Sequence, residues 1–117
     1  MVKIYHNSRC SKSRGACDIL SDKGIQTEIV EYLKTPPTEA EISDLLIKLE
    51  MKASELVRKG EELYKDKFSK KNYSEAEWLR ILAENPILIE RPIVVMGDKA
   101  VIGRPPEKIL QLIEQSV

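Results

Sequence analysis

The chain is sparing with the residues that build the most easily recognised sites. Its 117 residues include two cysteines, one histidine, one tryptophan and one phenylalanine. Two cysteines cannot make a disulfide scaffold, and reducing surroundings would keep them as thiols. No run approaches the roughly 18–20 apolar residues that a spanning helix needs, which argues against a membrane protein. The start, MVKIYHNSRC, lacks the long apolar core of a signal peptide, so a cytoplasmic location is expected. Charge of one sign is also missing: 19 Lys+Arg offset 19 Asp+Glu, giving no overall electrostatic case for nucleic-acid binding. What is present is 42% hydrophobic and 32% charged residues, the make-up of a well-solvated globular protein. The length suits one domain over residues 1–117, burying about two thirds of the surface its unfolded chain exposes.

Periodicity divides the chain into short elements. Val2 and Ile4 alternate with Lys3 and Tyr5, the pattern of a strand. A helix is predicted from Ser11 to Lys23, with Gly24 at the place of a left-handed C-terminal cap. Gln26 to Tyr32 reads as a second strand, β-branched at its centre. Strand, helix and strand within so short a span make a right-handed crossover with parallel strands, and such units bind ligands beyond the strands' carboxyl ends. Thr38 with Glu41, and Ser74 with Glu77, have the spacing of capping boxes. The first opens a helix with Ile42, Leu45, Leu46 and Leu49 on one face, and the second a helix with Trp78, Leu79, Ile81 and Leu82. A shorter helix is predicted over Ser54 to Lys59. The run Lys65 to Lys71, interrupted by Asp66, reads as a solvated loop rather than a nucleic-acid patch. ERPIVVMGDKAVIG reads as a β-hairpin turning at Gly97-Asp98-Lys99, followed by a helix from about Pro105. The fold class is therefore α/β: a four-stranded mixed sheet flanked by helices, with a helical insertion before the C-terminal hairpin. That order resembles the thioredoxin arrangement. Thr35-Pro36-Pro37 reads as a loop, with no internal domain boundary.

The residue best placed for chemistry is Cys10, in the turn between the first strand and its helix. Unpaired N–H groups of the helix's first turn point there, and the helix dipole favours negative charge. Arg9, Lys12 and Arg14 lie close in sequence and His6 precedes by four residues, so a thiolate is favoured and the thiolate is the nucleophile. Cys17 cannot pair with it. Seven helical residues rise about 10.5 Å, beyond the ~7 Å Cα separation that a disulfide tolerates. Cys17 reads as a structural side chain. Ser13 stands three residues after Cys10, so no two-thiol cycle is self-contained and an outside thiol must restore an oxidised Cys10.

Arg58, Arg91 and Arg104 stand where the chain changes direction. Arg58 lies near the end of a short predicted helix, Arg91 precedes Pro92 at the mouth of the hairpin, and Arg104 follows Gly103 at its exit. Guanidinium forks bind tetrahedral oxyanions through paired, charge-assisted hydrogen bonds. Taken singly, each arginine reads as a solvated charge or a surface ion pair. Their joint placement at loop ends weakens that reading. In this fold the first strand's carboxyl end and the loop before Pro92 are expected to approach one another, bringing Arg91 near Cys10. Whether Arg58 and Arg104 reach the same crevice is left to the structure. His6 has two readings as well: a strand-end imidazole satisfied by backbone, or electrostatic support for the thiolate.

With these residues in place the sequence resembles the glutaredoxin-linked arsenate reductases. The blocks that carry the likeness are IYHNSRCSKSR, EYLKTPPTEAE, ELVRKGEELYK, NPILIERPIVV and IGRPPEKIL, in order along nearly the whole chain. The resemblance implies that Cys10 is the nucleophile, that Arg58, Arg91 and Arg104 bind the oxyanion, that His6 is the histidine preceding the cysteine, and that Pro92 is a cis-proline. It also implies arsenate as substrate, glutathione as co-substrate, glutaredoxin as partner, and no metal or bound organic cofactor. One departure is Ser8, where proline is common in the family.

Two other readings share the fold. A regulatory protein of the Spx type normally switches through a CxxC near the first strand, which Ser13 removes here. A glutathione-dependent thiol oxidoreductase acting on another substrate would use the same Cys10, but gives no reason for the arginine trio. An arsenate reductase of the low-molecular-weight phosphatase type needs C-x5-R, and Ala16 occupies the arginine position.

Overall fold

A computed structural model of the chain describes residues 2–7, 11–103 and 107–115. The chain forms two compact units, Met1–Thr35 with Arg91–Val117, and Pro36–Glu90. The first boundary falls within the segment read from the sequence as a loop.

The first unit holds the sheet. Strand β1 (Val2–His6) leads to helix α1 (Ser11–Asp22) and strand β2 (Thr27–Glu31), and strands β3 (Ile93–Met96) and β4 (Lys99–Ile102) precede helix α4 (Glu107–Gln115). The strand order is β2-β1-β3-β4, with β1 parallel to β2 and antiparallel to β3. This is the four-stranded mixed sheet expected. Val2, Ile4 and Val94 share one face, where Ala16 and Leu20 of α1 and Ile109 and Leu112 of α4 complete a buried cluster. Gly24 ends α1 in the left-handed region at φ 68°, and Ile25 donates its N–H to the Leu20 carbonyl, so the predicted glycine cap forms. Gly97 turns the hairpin at φ 64°. Strand β2 is shorter than Gln26–Tyr32 because its register with β1 begins at Val2↔Thr27 and ends at His6↔Glu31.

The second unit, between β2 and β3 in sequence, is helical. Helices α2 (Glu39–Leu49) and α3 (Glu75–Glu84) pack together, each opened by the predicted reciprocal capping box. Between them the sequence gives irregular turns instead of a regular helix. The predicted helix over 54–59 is one 3-10 turn, Ala53–Leu56, fastened by hydrogen bonds from Lys52 N–H to Glu55 and from Ser54 N–H to Glu75 of α3. The basic run is solvated as expected, with Lys65, Lys67, Lys70 and Lys71 all exposed. It is not simply a loop, however: Tyr64–Phe68 forms one π-helical turn. That turn sets Tyr64 and Phe68 against Trp78, with ring centroids 6.3 and 6.2 Å away, and Tyr73 meets the same indole edge-on at 4.9 Å. Aromatic packing thereby outweighs the polarity of the intervening lysines.

Candidate functional site

One end of the sheet is unlike the rest of the structure. The register of β1 with β3 runs from Val2↔Met96 to Tyr5↔Ile93. The ladder stops at that pair; continued in the same register, one step would bring His6 opposite Pro92 and two steps Asn7 opposite Arg91. Across the hairpin, Ile93 pairs with Ile102, and the next residue, Gly103, donates its N–H to the Pro92 carbonyl at 2.8 Å. The carboxyl ends of β1 and β4 therefore meet the entry to β3 at the same edge. The Arg91-Pro92 peptide bond is cis.

Among the described residues, the buried polar or charged side chains are His6, Asn7 and Arg91, exposed by 8%, 8% and 7%. Burying a guanidinium or an imidazole is costly unless other groups compensate it. Here all three sit at this one edge, while the sheet's interior is apolar. Asn7 had no distinguishing mark in the sequence. Only its burial, one residue past β1, singles it out.

The expected nucleophile, Cys10, and the arginine Arg104 lie outside the described residues, as do Ser8 and Arg9. By chain connection Cys10 immediately precedes Ser11, the first residue of α1, and Arg104 immediately follows Gly103. The first turn of α1 contains no acidic residue, so its unpaired N–H groups keep their full positive end. Arg14, in that turn, is exposed.

His6 does more than close a strand. Its Nδ1 lies 3.7 Å from the Sγ of Cys17 on α1. The sequence assigned Cys17 a buried structural place. It is instead half-buried and borders a hollow of about 210 Å³ lined by Cys17, Ser21, Ile25, Thr27 and Ile29. Burial, and then the neighbouring Asp18 carboxylate, push its thiol above the ordinary value of 9.0.

Arg58 belongs to the second unit. It follows Val57, which bridges to Ile89, and its N–H donates to the Leu88 carbonyl at 2.6 Å. Its Nε lies 3.4 Å from Glu61 Oε1, in a pair whose side chains are only 23% and 24% exposed. Nη1 of Arg58 is buried with no hydrogen-bond partner among the described residues, so an acceptor is needed there. No cluster of three potential metal ligands occurs among the described residues.

A mixed sheet with a β-α-β start and a β-β-α finish, carrying a cis-proline beside the end of its first strand, defines a thioredoxin-like protein. The ArsC family profile matches residues 5–112, and the chain belongs to that family. It is 47% identical over 114 residues to the uncharacterized protein YfgD of Escherichia coli, covering 96% of each chain. It is 43% identical over 110 residues to an arsenate reductase of Neisseria meningitidis, covering 92% of this chain and 94% of the other. Among solved structures, an arsenate reductase from Vibrio cholerae superposes with a TM-score of 0.89 at 40% identity, over 94% of this chain and 95% of that one.

Proposed function

We propose that this protein reduces arsenate to arsenite in the cytoplasm, with Cys10 as nucleophile and glutathione and glutaredoxin as reductants. The observation that carries this reading is the gathering of buried His6, Asn7 and Arg91 at the sheet edge from which the chain runs on to Cys10 and Arg104. A cationic, desolvated edge next to a helix start is suited to holding an oxyanion against a thiolate. The names of the Neisseria and Vibrio relatives point the same way.

In this reading Arg58, Arg91 and Arg104 are the oxyanion-binding residues, as the resemblance implies, and residues 1–117 are one functional domain. Support for Arg58 comes from its buried Nη1 and from its backbone tie to Leu88, three residues before Arg91 in sequence. The Cys10 thiolate attacks arsenic, and one arsenic-bound hydroxyl takes up a proton and leaves as water. A glutathione thiolate then attacks the Cys10 sulfur. The new S–S bond forms as the S–As bond breaks, its electron pair stays on arsenic, and As(V) leaves as As(III) arsenite. Glutaredoxin resolves the mixed disulfide, and no metal or bound organic cofactor takes part. Ser13 supports the need for an outside thiol, since no second sulfur stands three residues from Cys10.

The test is arsenite formation by the full chain with glutathione, glutaredoxin and a working reductant supply. Turnover by the wild type, abolished by Cys10→Ser, is the expected result. A wild-type protein inactive beside an active arsenate reductase under the same conditions rejects the reading.

A further inference from the structure

The contact between Cys17 and His6 has no part in the chemistry above. Cys17 is the sulfur too far along α1 to pair with Cys10, and His6 is the only histidine in the chain. Their separation, 3.7 Å from Sγ to Nδ1, is within reach of a sulfur hydrogen bond. The two come from different elements, His6 from the end of β1 and Cys17 from the middle of α1. Between a neutral thiol and a neutral imidazole one hydrogen must lie on one side or the other. Thiol sulfur is a poor acceptor, whereas an unprotonated ring nitrogen is a good one. Burial and Asp18 keep the Cys17 hydrogen in place at neutral pH, consistent with donation from sulfur to nitrogen.

We propose that Cys17 is a positioning residue for His6: its S–H donates to Nδ1, which fixes the imidazole as the Nε2–H tautomer at the end of β1. The bond a ring nitrogen makes on one side decides what the other nitrogen can do. With Nδ1 occupied, Nε2 presents a donor, suited to a thiolate or an oxyanion, and cannot act there as an acceptor drawing the nucleophile's proton. This rests on the reading of His6 as part of the site, and it makes the second cysteine a partner of the first through an imidazole instead of through a disulfide.

The experiment is imidazole 15N spectroscopy of the full-length protein at a pH where the ring is neutral. A single histidine gives a single, unambiguous pair of nitrogen signals. In the wild type, Nε2 is expected to carry the hydrogen, with Nδ1 unprotonated and upfield of an unbonded ring nitrogen. In Cys17→Ala the Nδ1 resonance is expected to move downfield, towards the unbonded value. Because Cys17 borders an existing hollow, this truncation enlarges a space that is already there, and Cys17→Val, which fills it without a donor, should give the same downfield movement. A wild type with its hydrogen on Nδ1 overturns the proposal without any variant, and so does an Nδ1 resonance indifferent to both substitutions. No substrate enters the measurement. Failure of arsenate turnover would therefore reject the proposed function while the spectrum decided this inference by itself.

Discussion

Gly103 donates its backbone N–H to the carbonyl of Pro92 at 2.8 Å, tying the residue before Arg104 to the residue after Arg91. A Cβ at position 103 would stand 2.8 Å from Ile109 Cδ1 and 3.1 Å from Pro92 Cγ. The isoleucine tip can swing aside, but the proline ring cannot. Gly103→Ala is expected to cost about 1–3 kcal/mol, the usual range for an overpacked site. Urea unfolding measures this, and an unchanged midpoint would mean that both neighbours yield.

Arg91→Lys keeps the charge but loses the planar fork. Hydrogen bonds to charged groups are worth about 1.5–3 kcal/mol, so KM for arsenate should rise roughly ten- to hundredfold. The melting temperature should move much less. Steady-state kinetics beside thermal melts decides the matter, and parallel losses would assign Arg91 to folding alone.

The two cysteines should differ in reactivity. The Cys17 thiol sits above its ordinary value, through burial and then Asp18, so little of it is thiolate at neutral pH. Limited alkylation with iodoacetamide, followed by peptide mass mapping, should label Cys10 well before Cys17. The reverse order would remove the case for a Cys10 thiolate.

Glu77 provides a pH signature in the second unit. Its carboxylate accepts hydrogen bonds from the Ser74 backbone and then the Ser74 side chain, which hold it below its ordinary value of 4.5. A depressed carboxylate stabilises the fold fully above its unfolded value, and that contribution disappears as pH falls through the lower folded value. NMR titration should place Glu77 below other glutamates, and Ser74→Ala should move it up. Stability of that variant should then fall less between neutral pH and acid than that of the wild type.

Much of this architecture is written in local signals. Thr38 with Glu41 and Ser74 with Glu77 form their capping boxes as spaced, because a cap is satisfied within four residues and needs nothing from elsewhere. Gly24 and Gly97 take positive φ for the same reason. Where the local signal was weak, contacts from elsewhere in the chain decided. The segment after Lys52 forms one 3-10 turn, with Ser54 N–H donating to Glu75 of α3. The lysine-rich run folds into a π turn because Tyr64 and Phe68 reach Trp78. Cys17 does pack against the core cluster, as its place on α1 suggested, but nothing in the sequence says that α1 also carries it to His6, eleven positions away.

By itself, then, the order of residues determined the strands and the regular helices, the fold class, and which side chains bear charge or sulfur beside chain reversals, since those depend on neighbours a few positions apart. Strand register was settled only in three dimensions. It pairs Tyr5 with Ile93 and so brings the end of β1 to the entry of β3, more than eighty positions away in sequence. Pairing across that distance is chosen by burial of the whole sheet face, a property that no short stretch of sequence possesses.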